Sequence, residues 1–141
     1  MRPKNKDGVT ILLVEDDEVD VMGVERAFKQ SNLNHAIIVA PDGQEALKKL
    51  RDGKSVPHPY LMLLDLNMPR MNGLEFLAEI RQDPELHNAI VFVLTTSSDS
   101  GDKQKAYQHN IAGYIVKGLF GESFINTAGL LDLYTQINEF P

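Results

Sequence analysis

Residues 60–80 read YLMLLDLNMPRMNGLEFLAEI. The stretch opens on an apolar run, Tyr60–Leu66, interrupted only by Asp65. A short run without polar alternation is what a strand buried on both faces requires. From Gly73 to Asp83 the spacing changes. Leu74, Phe76, Leu77 and Ile80 fall on one arc of a helix, and Pro84 stops it. A strand buried on both faces, followed by an amphipathic helix, is half of the repeating unit of a parallel α/β sheet.

The same alternation continues in both directions. VTILLV (Val9–Val14), HAIIVA (His35–Ala40), AIVFVL (Ala89–Leu94) and GYIVK (Gly113–Lys117) read as further strands. Helical spacing lies between them. In Val19–Ser31 the stripe is Val21, Val24, Ala27 and Phe28. In PDGQEALKKLRDG, Asp42 caps the start, Ala46, Leu47 and Leu50 face inward, and Gly53 ends the helix. The segment after Leu94 has few apolar anchors, mainly Ala106, Tyr107 and Ile111, so a helix there is expected to be weakly held. The closing segment, Glu122–Phe140, is strongly apolar. Five βα units imply a parallel sheet covered on both faces, with right-handed crossovers.

Composition narrows the function classes. The chain has 141 residues, enough for one domain, with 43% hydrophobic and 24% charged residues. A formal net charge of −6 argues against nonspecific binding to nucleic acid or to anionic membranes. The absence of cysteine excludes disulfides, thiolate metal sites and thiol catalysis. The start, MRPKNKDG, has no apolar stretch for a signal peptide, and no window approaches the run of about 18 apolar residues that spans a bilayer. A cytoplasmic protein is expected, with residues 1–6 a flexible tail and residues 7–141 one domain.

Open α/β sheets bind ligands outside the carboxyl ends of their strands. The first strand ends in Glu15 and Asp16, the third in Asp65, the fourth in Thr95 and the fifth in Lys117. Each alone has a dull reading: a turn cap, a strand-end hydroxyl, a surface lysine. Carboxylates, a hydroxyl and an ammonium gathered at one sheet edge are a different matter. Clustered carboxylates need a counter-charge, and hard oxygen ligands select Mg²⁺ over soft metals. An aspartate can attack phosphorus to form an acyl phosphate. Phosphoryl transfer asks mainly for positioning and charge neutralisation.

ILLVEDD, LLDLNMPRMNGLEFL, VFVLTT and GYIVK resemble the receiver domain of two-component response regulators, from about Thr10 to Ile137. The resemblance implies a flavodoxin-like, doubly wound (βα)5 fold with a five-stranded parallel sheet in the order 2-1-3-4-5. It implies Asp65 as phosphoacceptor. Mg²⁺ would be held by Asp16 and Asp65, by Glu15 through water, and by the backbone carbonyl of Asn67. Thr95 would hydrogen-bond the phosphoryl group and Lys117 would pair with it. Thr95 and Tyr114 would be the switch residues, and Pro69 and Gly73 would shape the loop after Asp65. The phosphodonor would be a sensor histidine kinase or a histidine phosphotransfer protein. The amino-terminal pattern and VLTTSSDS are similar to stand-alone receivers that partner bacteriophytochrome kinases, so the kinase could be a phytochrome. Such a domain catalyses only its own phosphorylation and dephosphorylation.

One departure from the pattern is Gly118, where family members usually carry a cis-proline after the lysine. A cis bond to a non-proline residue costs about 3 kcal/mol, so a trans bond is expected, with GLFGES rerouting the loop. Two rivals compete. A haloacid-dehalogenase-type phosphatase places its nucleophile after the first strand and wants a second aspartate two residues on, where this chain has Asn67. A receiver-like scaffold that is never phosphorylated would not need the intact acid, threonine and lysine set.

The segment after Lys117 suffices for one loop and one helix, so no output domain and no direct DNA binding are expected. In that helix Phe124, Ala128 and Leu131 can face the sheet. Leu130, Leu133, Ile137 and Phe140 form a second arc, which would suit a homodimer or partner surface. Gly129 costs about 1 kcal/mol against alanine unless close packing compensates. His35, His58, His87 and His109 lack metal-ligand spacing and read as surface or loop residues. Asp17, Glu18 and Asp20 read as cap and first-turn acids of the first helix.

Overall fold

The computed structural model describes residues 8–118 and 124–141. Five parallel strands, β1 (Thr10–Val14), β2 (Ile37–Ala40), β3 (Tyr60–Leu64), β4 (Ile90–Thr95) and β5 (Gly113–Val116), are arranged β2-β1-β3-β4-β5. Each is followed by a helix: α1 (Glu18–Gln30), α2 (Gly43–Arg51), α3 (Gly73–Gln82), α4 (Ser100–Gln108) and α5 (Ile125–Ile137). This is the flavodoxin-like order that the sequence implied. The tail expected at residues 1–6 lies outside the described residues. Among the described residues no helix is long and apolar enough to cross a membrane.

Strand pleating divides the interior in two, because successive side chains point to opposite faces. Leu12, Val14, Met62, Leu64, Val91 and Val93 face α2, α3 and α4, where they meet Ala46, Leu50, Phe76, Leu77, Ile80 and Ala106. Ile11, Leu13, Leu61, Leu63, Phe92 and Leu94 face the other way, toward Val24, Ala27 and Phe28 of α1 and Ala128 and Leu131 of α5. The central strands β1, β3 and β4 are therefore apolar on both faces. The edge strands β2 and β5 are shorter and mostly half-buried.

Helix starts follow the local polar residues. Asp17, Asp42, Asn72 and Asp99 each accept a backbone N–H of the following helix, a cap worth about 1 kcal/mol. Asn72 and Glu75 complete a reciprocal capping box. In α4 only Ala106 is fully buried. Tyr107, expected as an anchor, is instead 50% exposed. Arg81 of α3 does much of the holding. Its guanidinium donates to the carbonyls of His109 and Asn110 at the end of α4, and to those of His87 and Ala89 before β4.

The readings of His35, of the β2 start and of Phe140 are corrected, and the condition set on Gly129 is resolved. His35 lies in the loop before β2 but not at the surface: its ring is buried, with Nδ1 3.1 Å from the Val9 carbonyl oxygen and Nε2 3.5 Å from Asp132 Oδ1. The strand expected from His35 starts at Ile37, because that ring turns into the α1–α5 layer and stacks edge-on against Phe28. Phe140 leaves the outer arc of α5 and packs edge-on against Tyr134. Gly129 meets no atom within 4 Å of an added Cβ, so nothing there offsets its helix cost.

Candidate functional site

The carboxyl edge of the sheet is assembled by the ladder itself. Glu15 N–H donates to the Ala40 carbonyl at 2.9 Å, Asp65 N–H to Val14 at 3.0 Å, and Lys117 N–H to Thr95 at 2.7 Å. Each residue is thus fixed by the neighbouring strand one position beyond its own. Directly after Asp65, the chain turns into α3 under a tight constraint. Gly73 N–H donates to the Leu66 carbonyl, and a Cβ on Gly73 would lie 2.6 Å from the Asp65 carbonyl oxygen. Only glycine allows the helix start to close on the strand end here.

Glu15 and Asp65 are buried, whereas Asp16 is exposed. One carboxylate oxygen from each lies within 4.8 Å of the others. At that separation each charged pair costs roughly 3–4 kcal/mol at the effective dielectric of a protein. Lys117 is the counter-ion. Its Nζ lies 2.6 Å from Glu15 Oε1, 2.7 Å from Asp20 Oδ2 and 3.6 Å from Asp65 Oδ2, with 8% of the side chain exposed. Burial works against the ammonium, but hydrogen bonds to Asp20 and Glu15 outweigh it and hold the Lys117 pKa above its ordinary value. Burial likewise pushes Glu15 up to about 7; the charge of Asp65 adds to the rise and Lys117 holds it back.

One ammonium among four carboxylates leaves an excess of negative charge. The oxygen-only donor set of Glu15, Asp16 and Asp65 has the chemistry of a hard divalent-cation site. Asn67 donates its N–H to Asp65 Oδ1 at 3.2 Å and lines, with Asp16, Pro69 and Asp102, a cleft over the site. Thr95 is fully buried at the end of β4 and accepts the Ser97 N–H at 3.4 Å. The Tyr114 hydroxyl donates to the Ser97 carbonyl at 2.9 Å, and Ser97 Oγ donates to Asp102 of α4 at 2.8 Å. Ser97 therefore links β4, β5 and α4.

The structure thus brings Glu15, Asp16, Asp65 and Lys117 together and sets Thr95 at the end of the adjacent strand. Two residues were not read from the sequence as part of the site. Ser97 carried no distinguishing signal. Asp20 sits three residues after the N-cap Asp17, where an acid usually turns back onto the cap backbone; here it reaches Lys117 instead. The Lys117–Gly118 bond is trans, since the one cis bond among the described residues is His58–Pro59. Gly118 takes φ +72°, a conformation glycine adopts without penalty. The rerouting expected of GLFGES falls, beyond Gly118, outside the described residues.

Residues 11–128 match the response regulator receiver domain family. The response regulator Rcp1 of Synechocystis sp. is 40% identical over 110 residues, covering 76% of this chain and 75% of that protein. The solved Mn²⁺-bound form of Rcp1 superposes with a TM-score of 0.80 at 34% identity, over 95% of this chain and 99% of that one. The phosphorylated cyanobacterial phytochrome response regulator RcpA gives 0.80 at 32% identity, over 94% and 97%.

Proposed function

The chain belongs to the response regulator receiver family of two-component signalling, and from that premise we propose that Asp65 accepts a phosphoryl group from a partner histidine kinase or histidine phosphotransfer protein. The observation that carries this is the buried Asp65 carboxylate, set 3.6 Å from the Lys117 ammonium within the acid cluster. A carboxylate oxygen of Asp65 forms the new P–O bond. The P–N bond to the donor imidazole breaks, and its electron pair leaves with the imidazole. Lys117 neutralises charge on the phosphoryl oxygens, and the Thr95 hydroxyl donates to one of them. Glu15, Asp16, Asp65 and the Asn67 carbonyl would hold Mg²⁺, which supplies charge neutralisation at the transferring group. Likeness to Rcp1 in its Mn²⁺-bound form and to the phytochrome regulator RcpA supports the metal and a phytochrome-type kinase as donor.

Incubation with Mg²⁺ and acetyl phosphate, followed by intact mass, tests the reaction. One added phosphoryl group per chain is expected, and none would leave a scaffold that signals by shape alone. The phosphorylated domain would then act through protein contacts.

Mg²⁺ binding should depend on pH in a definite direction. With Glu15 raised to about 7, a ligand carboxylate must lose its proton as the cation enters. Affinity is expected to fall as pH drops through about 7, approaching tenfold per pH unit. Calorimetric titration on either side of that value checks it, and a flat profile would contradict the assignment of Glu15. The metal-free protein carries the complementary signature. Between the ordinary value of 4.5 and about 7, the folded state keeps a proton that the unfolded chain releases. Glu15 therefore lowers stability as pH rises through that window.

Two helices enter the proposal, α4 as responder and α5 as a pairing surface. Phosphorylation brings roughly −1.5 to −2 charge to the site, drawing in Thr95 and Lys117 and with them the Ser97–Tyr114 link to the weakly buried α4. Hydrogen exchange across residues 95–117 is expected to change with a phosphoryl mimic; identical exchange would remove this switch. On α5, Leu130, Leu133 and Ile137 are 45%, 55% and 74% exposed. This apolar arc is proposed to pair with a second copy of the chain. Sedimentation of Leu133→Asp is expected to show monomer where the wild type shows dimer, and a monomer in both removes the interface.

A further inference from the structure

Lys117, the cation assigned to the phosphoryl group, is nearest to other partners. Its Nζ lies 2.7 Å from Asp20 Oδ2 and 2.6 Å from Glu15 Oε1, against 3.6 Å from Asp65 Oδ2. An ammonium has three donors, and two are committed at charge-assisted lengths. With 8% of the lysine side chain and 25% of the Asp20 side chain exposed, solvent screens this pair less than it screens a surface ion pair. Asp20 is itself well placed: its N–H donates to the N-cap Asp17 at 3.3 Å, which sets the first turn of α1 under the site.

We propose that Asp20 is a positioning residue for Lys117: it keeps the ammonium on the α1 side of the cluster in the resting protein and gives it up when Asp65 is phosphorylated. This rests on Asp65 being the phosphoacceptor. With acetyl phosphate as donor, the P–O bond to acetate breaks and its electron pair leaves with acetate, while a carboxylate oxygen of Asp65 forms the new P–O bond. The charge of the transferring group needs Lys117 closer than its resting distance from Asp65. The Asp20 carboxylate opposes that approach, because the ammonium must leave it first. Glu15 cannot substitute for Asp20 in this role, since its carboxylate belongs to the metal-ligand set. Asp20 lies outside that set, and its charge can be removed while Glu15, Asp16 and Asp65 stay intact.

The test is a four-way comparison of the second-order rate constant for phosphorylation by acetyl phosphate at saturating Mg²⁺. The proteins are wild type, Asp20→Asn, Lys117→Met and the double variant. Asp20→Asn is expected to react about fivefold faster than wild type, and to make no difference in the Lys117→Met background. Asp20→Glu, which keeps the charge within reach of Lys117, is expected to stay near the wild-type rate. An equal change with and without the ammonium would overturn the proposal, since Asp20 would then act only as a through-space charge. No change in either background would overturn it as well. The Lys117 ¹⁵Nζ resonance of the unphosphorylated protein reads the resting contact separately. It is expected to move in Asp20→Asn, and an unmoved resonance overturns the contact. Should wild type take up no phosphate, the acceptor reading of Asp65 fails, and the resonance still decides whether Asp20 holds Lys117.

Discussion

Asp65→Ala is expected to lose all phosphate uptake from acetyl phosphate, a fall of at least about a thousandfold in rate. The reason is chemical rather than steric. Asp65 is the buried carboxylate that the ladder bond to Val14 and the close approach of Gly73 hold in place at the strand end. Asp16 is exposed, and Glu15 is bonded at 2.6 Å to Lys117. Neither is a ready substitute as nucleophile. Intact mass with and without the substitution checks this, and label surviving Asp65→Ala would move the acceptor elsewhere. The variant should remain folded, because removing one acid relieves repulsion from Glu15 and Asp16.

The second large effect is on stability. Phe76 is fully buried in the layer between the sheet and helices α2 and α3. Phe76→Ala removes a ring's worth of packing and leaves a cavity, costing about 3–5 kcal/mol. Against a total stability of about 5–15 kcal/mol for a domain, that is a large share. The melting temperature should drop by roughly 10–17 °C. A thermal melt followed by circular dichroism checks it, and a cost below about 1 kcal/mol would mean that the surrounding side chains close the gap.

Legibility in the sequence tracked how many physical constraints acted on a residue at once. β1, β3 and β4 could be read because strands buried on both faces leave no polar alternation, and the helix starts because their caps are local. The gathering of Glu15, Asp65, Thr95 and Lys117 at one sheet edge could be read because each stands at or just past the end of a strand-forming run. What escaped reading was decided by distant partners. His35 is a loop residue, as read, yet its ring is not at the surface, because Val9, Phe28 and Asp132 from distant parts of the chain surround it. Phe140 continued the outer arc of α5 by spacing, but it lies past the helix end, where the chain turns it onto Tyr134. Tyr107 had the composition of an anchor, but the turn it occupies points outward, and Arg81 from α3 does the anchoring. Asp20 obeyed a helix-start rule, while its side chain answered to a lysine 97 positions away.

The division of the interior by the sheet has a bearing on how this protein can diverge. Among the described residues the buried apolar side chains form two clusters, one in the α2–α3–α4 layer and one in the α1–α5 layer, with the sheet between them. Substitutions in layers that share no partners tend to add without interfering. Lineages, or engineers, can therefore remodel the apolar packing on the α1–α5 side while the packing of the α2–α3–α4 layer stays as it is. Within this small domain, the two apolar layers are free to evolve on separate ledgers.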